Sequence, residues 1–463
     1  MLIFSFIKKI FTHSFILIIF LLFIGCMGFG SIVKYHYDNG EKFQFLQKYV
    51  MLIASVPLEV RLMIKHKSLN PYKVINKPPK LIKNIKKKRF EIFKPKPKPR
   101  KALLVLPRYD HSLGRAVVDI IDLKDFSVIH TFQHDNSELN NQVTNIKEFS
   151  RLKIDGSSDR FIYRNPLLLA DGSLIPTLSH NAPLFKIDFC SNLIWMNDEE
   201  IFHHSLMLDH KNTIWAVGQM NPKSKYVEKY YVPKYNNQDF VDDSIINISN
   251  DGKILFKKSV TEILIENNIF TDMNTFTKTG TDPIHLNDIE PALYDSKYWK
   301  KGDLFLSSRH QSAIIHYRPE INKVINYLTG PFSQQHDVDI ISDEEISIFD
   351  NNNSLFDNKY SKVVIYNFKT RKFRNIFYNE LKENNFKTIT QGVSHIFGDG
   401  SLMVDEQNHG RIILFNNKGE KEWEYVNKDK NGDIGLIGWS RVIENDVFIN
   451  NFRILTANLK CQN

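Results

Sequence analysis

Three cysteines in 463 residues are too few for a disulfide framework or for a multi-cysteine zinc or iron–sulfur site. No His-Glu-x-x-His or similarly clustered ligand spacing occurs, so the motifs imply no metal and no cofactor. Long uncharged apolar runs are also scarce, and only one near the N-terminus is long enough to matter. Amphipathic helical stretches are few, residues 376–386 being the best candidate. Aromatics, by contrast, are plentiful. With 34 Phe, 18 Tyr and 42% apolar residues, the chain can fill a large core, which excludes wholesale disorder. Its length is too great for one ordinary domain.

The net charge of +9 is unevenly spread. Residues 65–101 hold 15 Lys/Arg and one acid, residues 1–64 hold 6 and 3, so residues 102–463 keep 40 bases against 48 acids. The basic character belongs to a short stretch and the bulk is mildly acidic. A nucleic-acid-binding main domain is excluded on that arithmetic.

Residues 15–33, FILIIFLLFIGCMGFGSIV, are uncharged and follow Lys8 and Lys9. Without a small-residue cleavage site after them, they read as an uncleaved signal anchor, and residues 1–34 as a transmembrane helix. Cys26 after Gly25 has the place of a lipoprotein cysteine, but Phe23 and the continuing apolar run favour the anchor. Flanking lysines nearly balance, so charge alone does not orient the span. Residues 43–64 are apolar-rich but broken by Pro57, which suits a helix lying along a membrane. KNIKKKRFEIFKPKPKPRK (83–101) favours extended polyproline II, completing a juxtamembrane and basic linker over 35–101. A stiff solvated spacer is its plain reading; attraction to anionic lipid headgroups is the sharper one.

From Ala102 onward, short apolar runs alternate with Asp-Gly, Asn-Gly and Asn-Lys turns, which are hairpin signals. PLFKIDFCSNLIW (183–195), IINISNDGKILF (245–256), AIIHYRPEINKVINYL (313–328), KVVIYNFKTRKFRNIF (362–377) and RIILFNNKGEKEWEY (411–425) repeat one plan of strand, polar turn and strand. A shorter unit recurs beside them: DGSLIPT (171–177), DHKNTIWAV (209–217), GDLFLSSR (302–309), DEEISIFD (343–350) and DGSLMVD (399–405). Such recurrence predicts an all-β fold, a β-propeller over 102–463, with about 60 residues per blade and six blades. A two-sheet sandwich would leave the repetition unexplained.

Several of the 16 histidines fall at one phase of the repeat, just before the shorter unit. They are His203 and His204, His285, His336 and His395, with successive intervals from His204 of 81, 51 and 59 residues. A lone histidine starting a strand is usually a turn or core residue, and His310 and His316 read that way. Several in phase share one radius and converge on the channel mouth, where a site is expected. Asn287 and Asp337 suit either ring orientation or backbone capping. Arg309, closing the apolar strand LFLSSR, reads as half of an ion pair or as an anion clamp.

The run HLNDIEPALY, GDLFLSSRHQSAIIHYR, LTGPFSQQHDVDIIS and ISIFDNN, with FHHSLMLDHKNTIW upstream, resembles the bacterial arylsulfotransferases that work without the nucleotide donor PAPS. The resemblance covers about residues 165–460. It implies a six-bladed propeller in the periplasm, held here at the inner membrane by a single span. It further implies a ping-pong transfer of a sulfuryl group from a phenolic sulfate ester to a phenolic acceptor through a sulfohistidine. His336 matches the histidine that is sulfated. His285 and Arg309 match the groups gripping the sulfuryl oxygens, and His204, ahead of His203, matches a further catalytic histidine. Asn287 and His203 are candidate substrate-binding residues, and His395 is an added channel residue outside the matched set. Ser205 stands where the family usually has Asp, and the N-terminal β-sandwich of the characterised enzymes has no counterpart, so their dimer contacts do not carry over.

Two other readings remain at this stage. His336-Asp337 with Asn287 is compatible with a metal-dependent propeller hydrolase or lactonase. Ser205 is compatible with a membrane-tethered binding module without catalysis. The spacing does not decide whether Cys190 and Cys461 pair.

Overall fold

The computed structural model describes residues 19–31, 90–92 and 99–461, the last with gaps at 136–138, 140, 146–148, 150–161, 179–181, 231–239, 271–280, 354–359, 430–431 and 433. The stretch 43–64 and most of the Lys-Pro segment lie outside the described residues. Contacts divide the chain into two bodies. Of the first, Met1–Asn70 with Lys234–Asn237, only a helix over 19–31 is described. Its Ile19, Phe20, Leu21, Leu22, Phe23 and Ile24 side chains are exposed. At about 1.5 Å per residue the described part of this helix is shorter than a bilayer core, and no helix among the described residues is long and apolar enough to cross a membrane.

The second body is an all-β, propeller-like set of antiparallel sheets. Leu286–Pro291, Leu304–Ser308, Ala313–Arg318 and Lys323–Thr329 form one four-stranded blade. Its LFLSS strand is wholly buried, while the outermost strand, KVINYLT, is half-buried at best. This is the expected gradient for sheets stacked face to face around an axis, where only the rim meets water. Val338–Ile340, Glu345–Asp350, Lys362–Asn367 and Lys372–Ile376 form the next blade.

Four blades, not the expected six, stand as separate sheets. The physical reason lies in Leu193–Leu208, which runs unbroken for 16 residues. Its first half pairs with Ala182–Ile187 and its second with Ile214–Gln219, with register shifts between Phe202 and Leu206. Seven strands thereby share one continuous sheet.

Closure comes from both ends of this body. Arg441–Ile443 pairs with Leu103–Val105, supplying the innermost strand of the first sheet. Phe90–Ile92, expected to be spacer, instead pairs with Trp423–Tyr425 at the edge of the last sheet. Phe90 drives this by packing on Trp423, Tyr425 and Phe126, with centroids 5.7, 4.9 and 4.9 Å away. Arg100 pins the following segment through Asp399 and Glu422, each at 3.1 Å.

The turns carry the fold's local code. Gly252 sits at φ +85°, and a Cβ there would come within 2.8 Å of the Trp195 ring, so the Asp251-Gly252 turn admits no larger residue without strain. The expected helix near 376–386 is present as Tyr378–Glu383. A longer helix, Asp446–Asn458, was not foreseen. Asn445 caps it by accepting from the Phe448 amide, and Ile449 and Phe452 are its buried residues. A disulfide joins Cys190 to Cys461 just beyond that helix, with Cα atoms 5.3 Å apart.

Candidate functional site

Residues in the left-handed region precede three of the innermost strands and interrupt the strand Leu193–Leu208 at a fourth place. His204 has φ +55°, His285 +47°, Gln334 +55° and Gln391 +64°. Non-glycine residues there cost on the order of 1–3 kcal/mol each, a strain that clusters at functional sites. The chain turns inward at each, and the neighbouring side chains meet.

His336 is 2% exposed. Its Nδ1 lies 2.6 Å from Asn351 Oδ1, while Asn351 Nδ2 donates to the carbonyls of Thr388 and Gln391 at 2.8 and 2.6 Å. With its amide hydrogens spent, Asn351 must present oxygen to the ring, so Nδ1 carries the proton and Nε2 the lone pair. The Gln391 amide donates to that Nε2 at 2.8 Å. Burial, then the positive charge of Arg309, pushes the His336 imidazolium well below the ordinary histidine range and keeps the ring neutral.

His204 faces His336 and His285, with ring centroids 6.3 and 5.3 Å away. It too is pushed well down, by burial first and then by His203, His285, His336 and Arg164. His203 joins it through Nδ1 to Nδ1 at 2.6 Å, and its Nε2 lies 3.2 Å from Asp243 Oδ1. His285 Nδ1 lies 2.5 Å from Asp282 Oδ2, and the His285 ring packs on His310 at 4.5 Å.

Arg309 Nη1 donates to His310 Nε2 at 2.9 Å and Nη2 to Gln334 Oε1 at 3.0 Å. Both acceptors are neutral, and Nε finds no partner among the described residues. Of the two sequence readings for Arg309, the ion pair is not what the described residues provide. Its guanidinium bonds one histidine, His310, and its charge acts on another, His336, with no carboxylate bonded to it among the described residues. The neutral rings of His336 and His204, with the positive charges of Arg309 and Arg164 acting on them, are suited to a compact anion.

Asn287 is fully buried, its Nδ2 donating to the Gln335 carbonyl at 3.1 Å, while Oδ1 has no partner among the described residues. His395 does not join the ring cluster. Its Nε2 lies 3.3 Å from Glu444 and its ring meets Phe397 edge-on. Ser205 orients no histidine; its Oγ accepts from the Ile289 amide of the next blade at 3.0 Å and bonds Asp288. Asp288 holds the Val338 amide at 2.9 Å, and Asp337 holds the Ser394 amide at 3.0 Å. Ser205, Asp288 and Asp337 are thus successive clasps between innermost strands.

A family model for arylsulfotransferases (ASST) matches residues 165–428, more than half of the chain and every histidine of this cluster. The chain belongs to the arylsulfotransferase family. No curated relative matches it. Among solved structures it is similar to a protein of unknown function from Bacteroides caccae, at 10% identity, 75% of this chain, 100% of that one and a TM-score of 0.47. It is also similar to a catalytically inactive virginiamycin B lyase from Staphylococcus aureus with quinupristin, at 11% identity, 74% and 91% coverage and a TM-score of 0.38.

Within this arylsulfotransferase fold, Arg164, Asp282, Asn351 and Gln391 stand at the site without having been singled out in the sequence. Asn351 lay in the FDNN run that carried the family resemblance, which was its only signal. Trp439, whose ring is 6.3 Å from His336, comes from the closing segment and had none.

Proposed function

We propose that this chain is a sulfotransferase that moves a sulfuryl group from a phenolic sulfate ester to a phenol by way of a sulfohistidine on His336. The observation carrying it is the fixed tautomer of His336 within reach of the charge of Arg309, whose guanidinium has no bonded carboxylate among the described residues. A neutral, buried imidazole with a defined lone pair is the nucleophile such chemistry needs.

In the first half-reaction Nε2 gives up the Gln391 amide and attacks sulfur. The N–S bond forms as the S–O bond to the aryl group breaks, and Nδ1 keeps its proton toward Asn351. Arg309 and the released Gln391 amide face the sulfuryl oxygens, where charge redistributes. The leaving phenolate, with a pKa near ~10, takes a proton. His285 is the favoured donor: entering the step as an imidazolium paired to Asp282 through Nδ1, it gives its Nε2 proton to the phenolate and is left neutral. The acceptor phenol returns that proton and attacks sulfur, restoring neutral His336. His204, held neutral, shapes and desolvates the pocket.

The same reading takes the seven-stranded sheet as two blades sharing a strand, for six in all. Six apolar layers among the described residues support it, each between neighbouring sheet faces, such as Leu103 and Val118 with Phe185, and Leu104 with Leu414. The exposed apolar helix at 19–31 and the Cys190–Cys461 disulfide favour an inner-membrane anchor and an oxidising, periplasmic setting.

A second reading, a metal-dependent hydrolase, is favoured by Asp282, His285 and His310, whose ligand atoms lie within 4.8 Å of one another. Against it, Arg309 already donates to His310 Nε2. The test is to quench the protein during turnover of a chromogenic aryl sulfate and locate modified residues by mass spectrometry. Sulfuryl on His336, with release that depends on a phenol and ignores chelator, supports the transferase. Chelator-sensitive release with His336 unmodified overturns it.

A further inference from the structure

On the other side of Trp439 from His336 lies a chamber of different chemistry. It has a volume of about 260 Å³ and is lined by Asp288, Glu290, Asp337 and Asp339, with Arg441 and Ser394. Asp339 lies three residues beyond His336, in the strand Val338–Ile340 that follows it, roughly 10 Å along at about 3.3 Å per residue. Buried Trp439 both lines this chamber and packs near His336, so it stands between the two.

Four carboxyl groups face a single guanidinium here. Arg441 spends its hydrogen bonds elsewhere, donating through Nε to Asn165 Oδ1 at 3.0 Å and through Nη2 to the Leu206 carbonyl, so it meets these carboxyl groups through its single charge alone. The remaining charged neighbours are His395, itself beside Glu444, and Asp405, which is engaged by Ser440 at 2.9 and 3.0 Å. Burial and mutual repulsion raise Asp337 and Glu290 far above the carboxylate range and Asp339 to about 7. A second, independent sign is Ser394. It is 5% exposed and lines the chamber, yet its Oγ has no hydrogen-bond partner among the described residues. A buried hydroxyl without a partner costs about 1–3 kcal/mol unless something in the chamber bonds it.

No three of these carboxylates bring oxygens within 4.8 Å of one another, since the only such group among the described residues is Asp282, His285 and His310. A dehydrated ion drawing directly on three carboxylate, histidine or cysteine ligands among the described residues is therefore excluded. An ion that keeps its waters is not. Six waters at about 30 Å³ each fill roughly 180 Å³, within the space available. Mg²⁺ dehydrates reluctantly and is commonly held by one or two carboxylates plus water.

We propose that this chamber binds one partly hydrated divalent cation of the Mg²⁺ type, with Glu290 and Asp339 as its carboxylate partners and Asp288, Asp337 and Ser394 Oγ bonding its water shell. The ion takes no part in sulfuryl transfer. It replaces the protons that otherwise relieve carboxylate repulsion, and it stiffens the strands that carry His285 and His336. The inference is independent of the reaction assigned to the histidine site.

The test uses the full chain after chelator treatment, titrated calorimetrically with MgCl₂ near neutral pH in two buffers of different ionisation enthalpy. The expected result is one site per chain, a rise in thermal midpoint and an apparent heat that changes with the buffer because protons are released. Glu290→Gln with Asp339→Asn abolishes binding and, in chelator, melts above the wild type, because the repulsion is gone. Asp282→Asn leaves Mg²⁺ binding intact. Absence of binding by the wild type, binding without proton release, or binding lost in Asp282→Asn would each overturn the proposal. The proton count comes from the wild type alone, so it stands whether or not the double variant folds.

Discussion

The Gln391 amide donates to His336 Nε2 at 2.8 Å while the Gln391 carbonyl accepts from Asn351, the residue that holds the other nitrogen of the same ring. One peptide segment therefore fixes both the tautomer of His336 and the direction of its lone pair. Attack by Nε2 must exchange a backbone hydrogen bond for a bond to sulfur, so the resting ring is poised but capped.

Asn351 is accordingly a positioning residue. Asn351→Ala frees the ring to adopt the other tautomer, and kcat should fall by roughly 10²–10⁴-fold, the order seen when a catalytic histidine loses its tautomer-setting partner. Asn351→Asp should lower activity through a different route. A carboxylate there stabilises imidazolium, so the acid limb of the pH–rate profile should move to higher pH. A purely structural asparagine would change stability and leave that limb in place.

The wild-type acid limb follows from the downward shifts of His336 and His204. Both rings stay neutral in the folded protein below the ordinary histidine pKa of 6.5. The pH dependence of kcat/KM, which reports the free enzyme, should therefore fall off only below that value. The sign for stability matches. Below pH 6.5 the unfolded chain takes up protons that the folded one refuses, so the stability tied to these rings is present above 6.5 and lost as the pH falls toward their folded values. A rate profile that collapses at or above 6.5 would contradict the assignment of a neutral His336.

Ser205 should behave as a clasp, not as part of the chemistry. It is fully buried, and Ser205→Ala leaves the Ile289 amide without its acceptor. The expected cost is about 1–3 kcal/mol of stability. Chemical denaturation would measure it, and turnover per folded molecule should hold near the wild-type value. His204→Ala should show the reverse, with a small stability change and a large loss of turnover.

The Cys190–Cys461 bridge closes a sequence separation of 271 residues and tethers the end of helix Asp446–Asn458. Cys461→Ser should lower stability by about 2–4 kcal/mol. Reductant should lower the melting temperature of the wild type to that of the variant and leave the variant unchanged. Equal melting temperatures for wild type and variant under oxidising conditions would mean that the bridge contributes nothing.

Much of the architecture is legible locally. Turns such as Asp251-Gly252, joining a strand buried on both faces to one that is largely half-buried, specify hairpins through backbone conformation and burial within a dozen residues. The shared phase of His204, His285 and His336 in the repeat was readable for the same reason, since phase within a repeat fixes radius. Their meeting was not readable. It depends on how far each sheet twists and on closure between Leu103–Val105 and Arg441–Ile443, segments more than 300 residues apart. Closure also brought in Trp439 and the chamber-lining Arg441, neither of which carries a local signal. The lone-pair nitrogen of His336, the clasp made by Ser205 and the pairing of Cys190 all depend on partners supplied by distant strands. Backbone preference is a property of neighbours in sequence, whereas protonation, orientation and partner choice are properties of neighbours in space.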